Sequence, residues 1–181
     1  MEWTSPFDNI NQLTQGSIVD AIDWGNPEDN PVGIILSNAC DLAHEGHCSY
    51  LIVAAMYPAQ MILQSSREYK GIIPDPTVKL TRKQLEKRAE YFSNYIHHKT
   101  INRYYFIDCT ETLLGMHMVI DFQRIISMPH KCMHTLKPIA HLVSPLREQM
   151  IMQFAHYTAR IPSDRVDEEQ EANIIETLCG A

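Results

Sequence analysis

The chain has 181 residues, 45% of them hydrophobic, and a formal net charge of −7. That length fills one core but not two, the apolar runs at 32–36 and 51–56 are far too short to span a bilayer, and the acidic balance argues against a generic nucleic-acid binder. Residues 1–7 are acidic and aromatic and do not read as a secretory signal. The five Cys are therefore expected as reduced thiols or metal ligands in the cytoplasm, not as a disulfide framework.

Residues 1–14 read as an irregular lead-in. Gly16 opens a strand over 17–24, with Ile18, Ala21 and Ile22 as its apolar contributors. Residues 25–31 are turn chemistry, since Gly and Asn tolerate positive φ and each Pro fixes its own. Residues 32–37 form a continuous apolar run and predict a strand covered on both faces. Residues 50–56 repeat that pattern, and Pro58 limits further pairing.

Thr81 and Gln84 form a capping-box pair, and Leu85, Ala89, Phe92 and Ile96 recur at helical spacing, predicting a helix with that stripe buried. Residues 103–107 and 117–126 read as strands joined by a loop over 108–115. Ser144 as N-cap and Pro145 in the first turn start a last helix. Its buried stripe is Leu146, Met150, Phe154, Tyr157 and Ile161, and Pro162 ends it. Three strands, a helix, two or more strands and a helix imply an α+β fold: a small bent antiparallel β-barrel with an inserted helix and a C-terminal helix. The expected organisation is a single domain over 1–181, with an acidic C-terminal tail at 163–181.

Charge is unevenly spread. Arg82, Lys83, Lys87, Arg88, Lys99 and Arg103 face only Glu86 and Glu90 along 82–103, whereas 164–176 carries six carboxylates against Arg165. The basic segment, with Tyr91, Tyr95, Tyr104 and Tyr105 available for stacking, suits RNA or DNA phosphates; the plainer reading is a solvated helix surface.

The densest set of reactive side chains is Cys40, Asp41, His44, His47 and Cys48. Thiolate and imidazole donors suit tetrahedral zinc, but one nine-residue loop closes awkwardly on four corners. Two donors from this loop with Cys132 or His134 would be easier. Alternatively, Cys40 is a nucleophile served by His44, His47 or His134, with Asp41 orienting the base. The plain alternative makes Cys40 a small strand-end residue and Asp41, with Ser37 and Asn38, a turn former. Arg147, unfavourable in a first helical turn, calls for a carboxylate or ligand partner. Met116, Met118, Met128 and Met133 either fill core gaps or line an adaptable protein-binding surface.

The stretch 15–59, about a quarter of the chain, resembles the opening of the MazF/PemK toxin family. Gly16-Ser17-Ile18-Val19, then Pro31-Val32-Gly33-Ile34-Ile35-Leu36-Ser37, then Leu51-Ile52-Val53-Ala54 with Pro58 correspond to that family's first strands. The resemblance implies an SH3-like barrel. The family's Arg before the Pro is Asn30 here and its Asp in the first strand is Ser17, so ribonuclease activity does not carry over. A divergent MazF-like endoribonuclease would need a basic, stacking-rich groove near the loop after Asn30.

Two further stretches, Leu36-Ser37-Asn38-Ala39-Cys40-Asp41-Leu42 and Ser144-Pro145-Leu146-Arg147-Glu148, with Gln153-Phe154-Ala155 following, are similar to uncharacterised bacterial and phage-associated proteins. Those read Ser-Gln-x-Cys-Asp-Leu early and Ser-Pro-Tyr-Arg-Glu late. This resemblance implies a prokaryotic accessory protein of a defence or toxin–antitoxin-like locus and supplies no reaction. The incomplete catalytic set, beside a strong core and two oppositely charged segments, leads to the expectation of a non-enzymatic or regulatory subunit that contacts another protein, encoded nearby.

Overall fold

The computed structural model describes residues 2–6, 13–26, 30–43, 49–75, 77–99 and 103–159. Seven strands form one antiparallel sheet: β1 (Thr4–Ser5), β2 (Ser17–Asp20), β3 (Gly33–Ile35), β4 (Tyr50–Pro58), β5 (Tyr104–Cys109), β6 (Met116–Pro129) and β7 (Lys137–Leu142), in the order β1-β7-β2-β3-β4-β6-β5. The sheet curls into a nearly closed barrel. Its outer strands approach through side chains, with the Trp3 ring beside β1 standing edge-on to Phe106 of β5 at 5.7 Å.

The long strand β6 makes the bend. Its C-terminal half pairs with the start of β4, its N-terminal half pairs with both the end of β4 and β5, and the register slips between Ala54↔Ile125 and Ala55↔Asp121. Residues 122–124 therefore bulge, which raises local twist and curls the sheet. A second slip between Ile18 and Val19 accommodates Pro138 in β7, the sort of irregular position where a residue without an N–H is tolerated.

Alternation along the strands divides the core. Ile18, Ile34, Ala54, Tyr105, Ile107, Met118, Ile120 and Leu142 fill the barrel interior. Helix α5 (Leu146–Thr158) adds Leu146 and Met150 to that cluster, and Phe154 packs on Phe122 at 5.4 Å. Val19, Ile35, Leu51 and Val53 face the other way, against Leu42 of α1 (Ala39–Ala43) and Leu136 after a 3-10 helix (His130–Thr135). β3 is covered on both faces, as its unbroken apolar run predicts. A Cβ on Gly33 would come within 2.9 Å of the Ala54 carbonyl oxygen, so only glycine fits there. A third cluster lies under α2 (Ala59–Ser65), α3 (Arg67–Ile72) and α4 (Arg82–Ile96), where Leu63, Tyr91, Phe106 and Val119 meet.

Several expectations need correction. The strand opening at Gly16 stops at Asp20, because Ala21 takes a left-handed φ of 67°. Cys40 and Asp41 lie in the short helix α1, not in an open turn; Asn38 Oδ1 accepts from Cys40 N–H at 3.2 Å at its start. β5 extends to Cys109, shortening the expected loop, and α5 begins at Leu146, so Pro145 rather than Ser144 takes the N-cap position and no side chain caps the helix. β1, α2, α3 and β7 answer to no expected element: β1 has two residues, α2 and α3 only seven and six, and Pro138 disguises β7.

The capping box is present, with Thr81 N–H donating to Gln84 Oε1 at 3.0 Å and Gln84 N–H to Thr81 Oγ1 at 3.4 Å. The buried face of α4 is not the predicted one. Tyr91 is its buried residue, whereas Leu85 and Ile96 are 43% and 39% exposed, Ala89 is exposed and Phe92 half-buried. Ile161, Pro162 and the acidic tail lie outside the described residues.

Candidate functional site

The face of α4 carrying Leu85, Ala89, Phe92 and Ile96 leads into a broad groove. Phe92 and Ile96 form one wall of this space of about 890 Å³; Trp3, Pro58, Leu63, Phe106 and Met116 supply most of the rest. It adjoins a second groove through the shared Pro58 and Met116. Exposed Met61 and Met116 edge this apolar valley, while Met118 of the same surface is buried. On the rim, burial pushes the Asp108 carboxyl up, but hydrogen bonds from Thr110 and the neighbouring His117, 3.1 Å away, hold it below its ordinary value.

The cations of 82–103 are partly committed. Arg82 pairs with Glu86 at 3.0 Å, Lys99 donates to Ser93 Oγ at 3.0 Å, and Arg103 makes a two-pronged pair with Asp121 at 2.6 and 2.5 Å. Lys83 and Lys87 are exposed and Arg88 half-buried, without a carboxylate partner among the described residues. Two of the four proposed stacking tyrosines are unavailable. Tyr91 O–H donates to the Leu63 carbonyl at 2.9 Å; Tyr105 is 1% exposed, donates to the Leu146 carbonyl and lies flat under His98 at 3.9 Å. Tyr95 and Tyr104 are half-buried, and Arg103 covers the Tyr104 ring.

The groove after Asn30 is walled by Val32, Tyr57, Pro58, Met61, Leu114, Met116 and Met118, with no basic residue in its lining. Asn30 itself is spent on the backbone, donating to the Met56 carbonyl at 3.0 Å. The basic groove that a MazF-like endoribonuclease requires is thus not found among the described residues here.

A separate cleft of about 860 Å³ is walled by α1 and the start of α5. Ala39 and Leu42 come from the first of the two paired sequence stretches, Ser144 and Arg147 from the second. The fold brings these distant stretches to one place. Met133 of the 3-10 helix and His141 of β7 complete the wall. Cys40 is exposed, Cys132 half-buried and His134 exposed, while His44, His47 and Cys48 lie outside the described residues. Among the described residues no three His, Cys, Asp or Glu side chains gather as a metal would require. The buried Cys109 thiol is pushed up to about 12 by burial and by Asp108 beside it, which makes it a poor nucleophile.

The chain matches no family model and no curated protein. Its site must therefore be read from its own chemistry. Sequence reasoning missed His141 and the Trp3–Phe106 wall, both set by β1 and β7; the one available signal was the alternation Ile139, His141, Val143 after Pro138. No helix among the described residues is long and apolar enough to cross a membrane.

Proposed function

We propose that the protein is a cytoplasmic, non-enzymatic binding subunit that works by contact with another protein, in a bacterial defence or toxin–antitoxin-like system. One observation carries this reading: the stripe Leu85, Ala89, Phe92 and Ile96 has the periodicity of a buried helix face yet remains largely exposed within the chain. Periodic apolar surface of this kind, continuous with an apolar groove, is characteristic of an interaction site. Arg88, about 60° around α4 from Leu85 and without a carboxylate partner among the described residues, suits a partner segment combining apolar anchors with acidic residues. A protein is favoured over RNA or DNA because Tyr91 and Tyr105 are buried and Arg82 and Arg103 already hold carboxylates. The two sequence resemblances supply the defence setting.

The test is co-purification with the protein encoded beside it, using wild type and Ile96→Glu. A one-to-one complex lost in Ile96→Glu is the expected result. A wild-type homodimer dissociated by the same substitution would replace the partner with a second copy. Cleavage of single-stranded RNA by the purified chain, abolished in Cys40→Ala, would overturn the reading in favour of an enzyme; a gel shift abolished by Lys83→Glu with Lys87→Glu would overturn it in favour of nucleic acid.

A second reading rests on α1 and the 3-10 helix packing against one core cluster, which puts the carriers of Cys40, Cys132 and His134 side by side. On that reading the chain is a zinc-stabilised binding module. Elemental analysis of protein purified without chelator should then give about one zinc per chain, with stability lost to a chelator.

A further inference from the structure

We infer that the cleft between α1, β7 and the start of α5 is a binding site for an amphipathic organic anion: a carboxylate or phosphate monoester carried on an apolar body. This goes beyond the partner-binding reading, and the cleft shares no lining residue with the valley beside α4. A volume of about 860 Å³ falls within the range of small-molecule pockets. Leu13, Leu42, Met133, Leu142 and Val143 form its apolar wall; Thr14, His141, Ser144 and Arg147 bring polar groups to it. The cleft surface is divided about equally between apolar and polar groups, which suits an occupant with both an apolar body and a charged head.

Both principal polar side chains are held from behind. Ser17 has no exposed surface; its Oγ accepts from Thr14 N–H at 2.9 Å and shares a 3.0 Å hydrogen bond with His141 Nδ1, which fixes the plane of that ring. Arg147 lies with its aliphatic stem against Gly16. Gly16 has a φ of +81°, and a Cβ there would sit 2.8 Å from Arg147 Cγ. Gly16 is thus a positioning residue for the guanidinium that would meet the anion, and Ser17 fixes the His141 ring in the wall beside it.

Arg147 is engaged but not saturated. Its Nε–H and one Nη2–H both go to Oε1 of Glu148, at 3.1 and 2.6 Å. The guanidinium carries five N–H donors, and the other three have no partner among the described residues. Glu148, half exposed, therefore acts as a placeholder that an incoming anion displaces or joins.

Octanoate is the probe, with n-octanol as its neutral counterpart and inorganic phosphate as a head group without a body, measured by calorimetry on the full chain. Octanoate is expected to bind and octanol to bind at least about tenfold more weakly, since a hydrogen-bonded charge contributes on that scale. Arg147→Gln should weaken octanoate by about tenfold, and Glu148→Gln, which removes the competing carboxylate, should strengthen it about threefold. Ala43→Trp, at an exposed position of the wall, should block the cleft without disturbing the core. Equal binding of octanol and octanoate, octanoate binding untouched by both Arg147→Gln and Ala43→Trp, or no binding by any probe at millimolar concentration would each overturn the assignment. Phenyl phosphate in place of octanoate distinguishes a phosphate ligand from a carboxylate. None of these outcomes bears on the α4 valley, so failure here leaves the partner-binding reading to its own test.

Discussion

Two arginine–carboxylate pairs, Arg103–Asp121 at β6 and Arg147–Glu148 in the first turn of α5, do different things. Asp121 is 3% exposed and accepts from Arg103 at two nitrogens as well as from Gln123 N–H at 3.0 Å. Glu148 is 48% exposed and joined to the preceding Arg147. In the first pair the carboxylate has left water and depends on its partner, and the guanidinium is in turn held firmly protonated by that hydrogen-bonded carboxylate. In the second pair both charges remain hydrated and the contact is worth little. The same two functional groups therefore make a structural clamp at the β6 bulge and an exchangeable contact at the cleft mouth.

The largest expected effect breaks the clamp. Arg103→Ala leaves the Asp121 carboxylate buried and unpaired and should cost about 3 kcal/mol in urea unfolding. Arg147→Ala should cost less than about 1 kcal/mol. Equal losses would erase the distinction between the two sites.

Next comes a pH effect on the clamp side. Burial, with His97 alongside, lowers the His98 imidazole from the ordinary 6.5 to about 4. The unfolded chain then takes up a proton that the folded chain refuses, so stability is complete above about pH 6.5 and falls as the pH drops towards 4. The loss should reach about 2 kcal/mol, allowing for solvent access to a partly buried ring. His98→Asn, which tolerates the left-handed φ of 48° at that position, should flatten the profile between those limits.

Two smaller effects sharpen the contrast between the helices flanking these pairs. Thr81→Ala removes half of the α4 capping box and should lower stability by about 1 kcal/mol. Glu148→Gln should shift stability by less than about 0.5 kcal/mol at pH 7, because the exposed pair is screened by solvent. Arg147 and a Ser144 hydrogen bond hold the Glu148 carboxyl below its ordinary value. Whatever the pair contributes is therefore present above the ordinary carboxylate pKa and lost only as pH falls through the lowered one.

Much of the barrel was legible along the chain. Residues 32–37 read as a strand because both sides are covered, and a run buried twice must be apolar throughout. The apolar run 50–56 is also a strand, but only 53–56 is buried on both faces, with Tyr50 and Ile52 exposed. The α4 start was legible because a capping box is local chemistry between residues three apart. The Arg147 partner was expected as a type and found as Glu148. The buried side of α4 was not legible. Periodicity proposes a stripe, but the neighbours supplied by α2 and α3 select another side, where the Tyr91 hydroxyl meets the Leu63 carbonyl and Ser66. The cleft was equally hidden, since its polar pair Ser17–His141 is separated by 124 positions and joined only by the pairing of β2 with β7.

What the amino-acid order determined alone was therefore everything that depends on near neighbours: strand and helix types, the capping box, the all-apolar β3, and the segregation of basic from acidic residues. The tertiary structure alone decided which groups meet. Strand order sets contacts between residues far apart in the chain, and no local pattern encodes which register a bulge will choose. So Asp121 acquired its arginine and Gly16 came to lie under Arg147 through strand pairing, while packing against α2 and α3 left the stripe of α4 facing outward.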